Sequence, residues 1–277
     1  MLAALLALAA SFTWGSSNYI AGIESRRRSV WQVTALSQLA AAAVAGVAVL
    51  AARQSAPGLT ATLVLLAAGV ATTIGILAFY RALAIATMSV VAPIIAANVL
   101  VPVTYGLVTG ERPGLPAYLG MACTIGGIVL VAWGSRSNRT EAHTSAVLLA
   151  VLAATCWGFM LLALGTAGKG HPYWAVFDVR VTSVCVVLLF MAATRRPLEF
   201  RGQALPAMAA VGGLLTVANI LFTLATGTGY LSVVSILGSL SPVVVTGWAH
   251  LLLGERLALH QWAGYVAVFA GIVLLSV

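Results

Sequence analysis

Polar side chains placed at helical spacing inside apolar segments are the feature of this sequence most able to do chemistry. Between residues 205 and 230, Thr216, Asn219, Thr223, Thr226 and Tyr230 follow one another at spacings of 3, 4, 3 and 4. Such spacing places them on a single face of a helix. Because a polar stripe facing lipid is unfavourable, we expect it to face a central cavity. The alternative is hydrogen bonding between helices by the hydroxyl groups.

Other polar or aromatic residues recur at matching positions of the apolar segments. Trp14 and Trp157 lie near the middle of two of them, and Asn98 is flanked by small and apolar residues. An indole N–H or an amide in such surroundings needs a partner, which favours the interior of a helix bundle. The residues predicted to bind a small molecule are Trp14, Asn18, Phe79, Tyr80, Asn98, Trp157, Asn219, Thr223, Ser235 and Ser239.

A second group of residues is predicted to act in gating or as hinges. Prolines within apolar segments can bend a helix and free backbone carbonyls, although a static bend is the alternative. Each Gly-Glu-Arg turn precedes a helix expected to begin near Leu115 or Leu259, whose positive end its carboxylate can favour. A role in holding the hairpin shut is the alternative. The predicted group comprises Pro93, Pro102, Pro242, Glu111 and Glu255.

Asp178 and Arg180 are the only charged residues well inside a predicted segment. Residues two apart on a helix do not face each other, so a direct pair is not expected. Asp178 is either a functional carboxylate or a structural group near the membrane interface. The sequence contains no HExxH, GxSxG or paired-carboxylate pattern, which argues against an enzyme, and neither a metal nor a cofactor is expected.

The composition describes a membrane protein. Hydrophobic residues make up 61% of the chain and charged residues 7%, with a mean hydropathy of +1.06. Soluble domains carry about 25% charged residues. Nine polar breaks separate ten apolar segments, each long enough for a transmembrane helix. We therefore predict an all-α membrane protein with ten transmembrane helices.

The chain repeats itself at a spacing of 143 to 144 residues. Gly110-Glu111-Arg112 recurs as Gly254-Glu255-Arg256, and Trp14-Gly15 recurs as Trp157-Gly158. The first apolar segment is therefore expected to be a transmembrane helix and not a cleaved signal. Five segments per copy give the copies opposite orientations in the membrane, the inverted-repeat plan of many transporters. The predicted organisation is a first repeat over 1–134, a polar linker over 135–144 and a second repeat over 145–277.

The net charge is +8. Because the basic residues flank the apolar segments, where such residues set membrane topology, no nucleic-acid partner is expected. Most basic residues lie in the loops after odd-numbered segments, which by the positive-inside rule places those loops in the cytoplasm and both termini outside.

The paired motifs resemble those of the EamA domain, which defines a large branch of the drug/metabolite transporter superfamily. The likeness covers nearly the whole chain through the following residues: Phe79-Tyr80-Arg81-Ala82-Leu83, Ser89-Val90-Val91-Ala92-Pro93, Gly110-Glu111-Arg112, Ser241-Pro242 and Gly254-Glu255-Arg256. The aromatic amino-acid exporter (YddG-like) group is similar in size and plan. Members keep both termini in the cytoplasm, which disagrees with the charge count and leaves the orientation open.

The resemblance implies a multi-pass transporter of a bacterial inner membrane, active as a monomer. Its substrates are expected to be small neutral or zwitterionic metabolites, above all amino acids (Thr, Met and aromatic ones), exported by alternating access. Uptake, nucleotide-sugar-like exchange and a channel are the alternatives. Small multidrug antiporters of the superfamily use a Glu in their first segment, which this chain lacks. Facilitated diffusion or exchange is therefore the hypothesis for coupling.

Overall fold

The computed structural model describes residues 1–25, 28–85, 94–95, 97–132, 142–195, 205–253 and 258–276. Within these ranges the chain forms eleven α-helices of eight residues or more, and no strand occurs there. The helices are α1 (Leu2–Ser25), α2 (Val30–Ala52), α3 (Leu59–Ile85), α4 (Leu100–Val108), α5 (Leu115–Ala132), α6 (Ala142–Thr166), α7 (Pro172–Ala193), α8 (Leu205–Thr226), α9 (Leu231–Gly238), α10 (Ser241–Leu253) and α11 (Leu259–Ser276). The prediction of an all-α protein is confirmed.

The helices agree with ten membrane segments. In the described ranges, six segments of 21 to 23 residues are long and apolar enough to cross a bilayer: five lie in α2, α3, α6, α7 and α8, and the sixth is Leu231–Leu252, which joins α9 to α10. Three shorter apolar segments lie at Ala97–Val108, Leu115–Leu130 and Leu259–Leu275. Helix α1 is 24 residues long, and its second half carries the polar residues that face the bundle interior.

The helix pairs follow the internal repeat. Helix α1 packs along α8 and α3 packs along α6, while α2 packs against α7 and α5 against α11. Each pair joins one repeat to the other, and the α1–α8 pair has the α3–α6 pair as its counterpart. The two repeats therefore form one interleaved bundle with a shared interior.

The fourth and ninth segments are both interrupted at equivalent places. A 3-10 turn, Ala97–Val99, precedes α4, and the ninth segment divides between Gly238 and Ser241 into α9 and α10. Pro242 lies in the first turn of α10, where a missing N–H costs no helical hydrogen bond. Pro102 lies in the first turn of α4 and is buried, whereas Pro93 is outside the described residues. The two interruptions therefore fall at equivalent positions of the two repeats.

The sequence places two glycines seven residues apart in each of α5 (Gly120 and Gly127) and α11 (Gly264 and Gly271), which predicts that these two helices pack closely against each other. A methyl group on Gly127 would lie 2.7 Å from the carbonyl oxygen of Gly264, and one on Gly120 would lie 2.9 Å from that of Gly271. Helices in a bilayer associate through such small residues because burial of apolar surface gives them no driving force. This prediction is confirmed.

The end of the bundle where α1 begins, which we call the termini end, is tied together across the repeats. Five residues near helix ends lie there: Ala3, Gln54, Glu111, His171 and Gly229. A methyl group on Gly229 would meet Ala3, and Gln54, Glu111 and His171 form hydrogen bonds across the repeats, as described below. The predicted linker, residues 135–144, falls mostly outside the described residues. Helix α6 begins within it, at Ala142.

Candidate functional site: a central cavity between the repeats

A cavity of about 160 Å³ lies at the centre of the bundle. Both repeats supply its walls, from α1, α2 and α3 on one side and α6, α7, α8 and the α9–α10 break on the other. Its lining reaches Ala21, four residues before the end of α1, and Thr34, four residues after the start of α2. On α1 and α2 the lining therefore reaches towards the end opposite the termini end.

Trp14 and Asn219 form one side of the cavity and join the two repeats. The indole Nε1–H of Trp14 donates to Asn219 Oδ1 at 2.9 Å, and the Trp14 ring lies 5.5 Å from that of Phe222. Indole is only a donor, so this bond fixes which amide atom is the oxygen. The Asn219 Nδ2 group is buried and has no hydrogen-bond partner in the part of the chain that the structure describes. A donor is thus left free beside the cavity.

Phe79 and Trp157 form the corresponding aromatic pair in the other helix pair. Their ring centroids lie 5.3 Å apart at an angle of 55°. Gly75 makes room for the indole, because a methyl group there would lie 2.8 Å from Trp157 Nε1. Ile76 occupies the position equivalent to Asn219 and also lines the cavity. One aromatic wall is therefore hydrogen-bonded and polar, and the other is apolar.

Arg180 lines the same cavity and is 2% exposed. Its NH1 group donates to Gln38 Oε1 at 3.0 Å, which joins α7 to α2. Its Nε–H has no hydrogen-bond partner among the described residues. Arg180 is the charged side chain of the cavity wall, which includes no Asp or Glu from the described ranges.

The structure places most of the predicted binding residues at this cavity. Trp14, Asn18, Phe79, Asn98, Trp157, Asn219 and Ser239 line it, as does the predicted hinge residue Pro242. Thr223 and Ser235 are buried but do not line it, and the side chain of Tyr80 is outside what the structure describes. Whether these residues bind substrate stays a prediction.

The expectation that the whole polar stripe of α8 faces the cavity is wrong. Thr216 donates to the Ala41 carbonyl of α2 at 2.9 Å, and Thr223 donates to the Asn219 carbonyl at 2.8 Å. A threonine hydroxyl can satisfy itself on the carbonyl four residues earlier, so its presence in a stripe does not require a cavity. Tyr230 lies at the start of α9 and is half exposed. Asn219 is the member of the stripe that lines the cavity.

Several cavity residues were missed from the sequence. Ser17, Thr34, Ser37 and Gln38 line the cavity from α1 and α2. Thr34, Ser37 and Gln38 form a short polar stripe at spacings of 3 and 1 in an otherwise apolar segment, which is a signal that could have found them. Arg180 was singled out as a buried charge, but the pattern did not indicate which helix it faces.

Glu111 bonds to the other repeat and not to the helix that follows it. Its carboxylate accepts the backbone N–H groups of Leu231 at 2.6 Å and Ser232 at 3.0 Å, and so caps the first turn of α9. Gly106 makes room, because a methyl group there would collide with the carboxylate. A carboxylate at this place satisfies free N–H groups and favours the positive end of the helix. The expected partner, the helix beginning at Leu115, is corrected to α9, while Glu255 lies outside the described residues.

Further hydrogen bonds close the termini end between the repeats. Gln54 Nε2 donates to the Gly170 carbonyl at 2.9 Å, and Trp174 Nε1 donates to the Gln54 carbonyl at 2.8 Å. His171 Nδ1 lies 3.0 Å from the Ser55 carbonyl oxygen. With the Glu111 cap, these contacts join described loops of the two repeats at the termini end.

Comparison of the sequence with known protein families shows the family of this chain. The model of the EamA-like transporter family matches residues 1–133 and again residues 144–277. The chain belongs to the EamA-like transporter family. This EamA-like chain therefore has two copies of the family domain, as its internal repeat predicts, and it is a multi-pass membrane transporter and not an enzyme.

Solved structures share the fold of this EamA-like transporter. One crystal structure of a protein superposes with a TM-score of 0.80 at 17% sequence identity, covering 98% of this chain and 95% of that chain. At this level of identity the likeness shows the fold alone. A search of curated proteins gave no match.

Proposed function

We propose that this EamA-like transporter exports small neutral or zwitterionic amino acids across a bacterial inner membrane by alternating access. Thr, Met and the aromatic amino acids are the expected substrates. The observation that carries the proposal is the central cavity, whose described wall combines amide, hydroxyl and indole groups with the Arg180 guanidinium. Amide and hydroxyl groups match the polar part of an amino acid, and the rings of Trp14, Phe79 and Trp157 offer contact to an apolar side chain.

Alternating access is supported by the contacts that close the termini end. The termini end carries the cross-repeat bonds of Gln54, Glu111 and His171, and the cavity approaches the opposite end. In inverted-repeat transporters, the opposite arrangement is reached by rocking one part of the bundle against the other. The two interrupted segments, which place the Ala97–Val99 turn and Pro242 beside the cavity, are the expected points of bending.

Strongly anionic substrates fit this cavity less well. A nucleotide sugar carries two or more negative charges, whereas Arg180 is the cation of the wall and already donates to Gln38. We also propose a functional monomer, since described residues of both repeats of one chain line the cavity.

Flux of labelled amino acids through proteoliposomes tests the proposal. Vesicles containing the full chain should move Thr, Met or an aromatic amino acid faster than vesicles without protein, with saturation. If all of these failed to move, the amino-acid proposal would be wrong.

A further inference from the structure

The Arg180 guanidinium is a buried cation with unused hydrogen-bonding capacity. It is 2% exposed, it donates to a neutral amide oxygen, Gln38 Oε1, and its Nε–H is unpartnered within the described ranges. A charge removed from water is costly unless it is paired and hydrogen-bonded. The guanidinium therefore favours any small anion that can enter the cavity.

The described part of the chain supplies no carboxylate to Arg180. The one ion pair found there joins Glu24 to Arg28. Asp178 precedes Arg180 by two residues on α7, which places the two side chains on different faces, and Asp178 does not line the cavity. Within the described residues the guanidinium therefore has no anionic partner, which leaves it available to an anion that enters the cavity.

Resting on the proposed function, we propose that Arg180 binds the carboxylate of the substrate, so that the transporter selects molecules carrying a single carboxylate. A guanidinium presents its N–H groups in a planar fork that matches a carboxylate. Asn219 Nδ2 lines the same cavity as a second free donor. Arg180 is thus the residue that separates carboxylate substrates from amines and neutral molecules.

The cavity wall also has a free acceptor, which can bind the ammonium group of an amino acid. Asn98 Oδ1 is buried and unpartnered among the described residues, and the rings of Trp14 and Trp157 line the cavity with it. Carbonyl oxygens and aromatic faces both attract an ammonium group. A substrate with a carboxylate and an ammonium group therefore finds a partner for each. A substrate with a carboxylate alone can still bind to Arg180.

A matched series of ligands tests this on the unmodified protein. L-phenylalanine, phenylpyruvate and phenethylamine share a ring but differ in which charged group they keep. Each is added to the detergent-purified full chain, and the midpoint of thermal unfolding is measured; each is also used to compete with counterflow of labelled L-phenylalanine. Phenylalanine and phenylpyruvate should raise the midpoint and compete, and phenethylamine should do neither.

Because Arg180 also joins α7 to α2, variants are needed to separate a role in substrate binding from a role in helix packing. Arg180→Gln should lose the shift of the unfolding midpoint caused by phenylpyruvate and raise the KM for phenylalanine by about tenfold or more. Arg180→Lys should keep part of that shift and raise the KM less than Arg180→Gln. Ser183→Ala, three residues further along α7, removes a hydrogen bond to the Gly69 carbonyl outside the cavity. It should leave the KM and both ligand shifts as in the wild type.

The outcomes distinguish the two proposals. Shifts by phenylpyruvate that vanish in Arg180→Gln, without any amino-acid counterflow, would support carboxylate binding and overturn the amino-acid function. Amino-acid counterflow that phenethylamine inhibits equally, or that keeps its KM in Arg180→Gln, would overturn carboxylate binding and leave transport standing. If no carboxylate shifts the wild-type midpoint and no amino acid moves, both proposals are wrong.

Discussion

Trp14 of the first repeat donates its indole N–H to the amide oxygen of Asn219 in the second repeat, at 2.9 Å. The equivalent pair in the other half is Trp157 and Ile76, where no such bond can form. The equivalent position is therefore polar in the second copy and apolar in the first. Both positions line the cavity, so this difference between the copies makes its two walls chemically distinct.

Replacing Asn219 with isoleucine would make the second copy like the first. The Trp14 N–H would lose its partner, and a buried unpaired donor costs about 1–3 kcal/mol. We expect Asn219→Ile to lower the midpoint of thermal unfolding in detergent and to raise the KM for phenylalanine by about tenfold. Both are measured on the purified and reconstituted chain.

Thr226→Val is the matched control for this variant. It places a β-branched apolar residue in the same helix and removes a hydroxyl that bonds within the helix, to the Thr223 carbonyl, away from the cavity. Transport should be nearly unchanged. An equal loss of affinity in both variants would mean that Asn219 acts only through helix packing.

The Glu111 carboxylate is expected to hold the termini end closed. Glu111→Gln keeps the shape but removes the charge and one of the two acceptor oxygens that cap α9, so the closed arrangement should lose about 1–2 kcal/mol. In a variant lacking Cys123, Cys156 and Cys185, a cysteine placed at the buried Leu164, on the termini side of the cavity, reports opening. Its labelling by a soluble maleimide should become several-fold faster with Glu111→Gln.

Arg112→Gln is the control for the Glu111 variant. Arg112 NH1 donates to the carbonyls of Leu107 and Glu111 within its own loop, so labelling at position 164 should not change. A Glu111→Gln variant that labels at the wild-type rate would contradict the role of the cap in closure.

The contact between α5 and α11 provides a test of packing with an unusually close control. Gly127 faces α11, where an added methyl group would lie 2.7 Å from the Gly264 carbonyl oxygen, whereas a methyl group on the adjacent Gly126 meets nothing within 4 Å. Gly127→Val should destabilise the chain by about 1–3 kcal/mol through overpacking. Gly126→Val has the same helix propensity cost and should lower the thermal midpoint much less. Equal losses would show that propensity, and not packing, decides.

The fold could be predicted from the sequence because the signals for it, the internal repeat and the periodic spacing of apolar residues and glycines, are local and occur twice. The spacing of 144 residues between the Gly-Glu-Arg motifs indicates two copies, and apolar length indicates the segments. The glycine spacing in α5 and α11 predicts their contact, since a close approach in lipid requires small residues on one face.

The candidate site was accessible only in part, because periodicity gives the face of a helix but not its neighbour. The α8 stripe mixes Asn219, which lines the cavity, with Thr223, whose hydroxyl bonds to its own helix. The partner of Arg180, Gln38, is 142 residues away, and Glu111 caps a helix 120 residues further along the chain. No local pattern contains such pairings.

Counterflow tests the central claim of alternating access most directly. Proteoliposomes containing the full chain are loaded with unlabelled phenylalanine and placed in a trace of labelled phenylalanine outside. A carrier whose cavity faces one side at a time should accumulate label transiently above equilibrium, and Arg180→Gln should reduce that accumulation. Label that enters only to equilibrium, at a rate independent of internal phenylalanine, would indicate a channel and contradict the account.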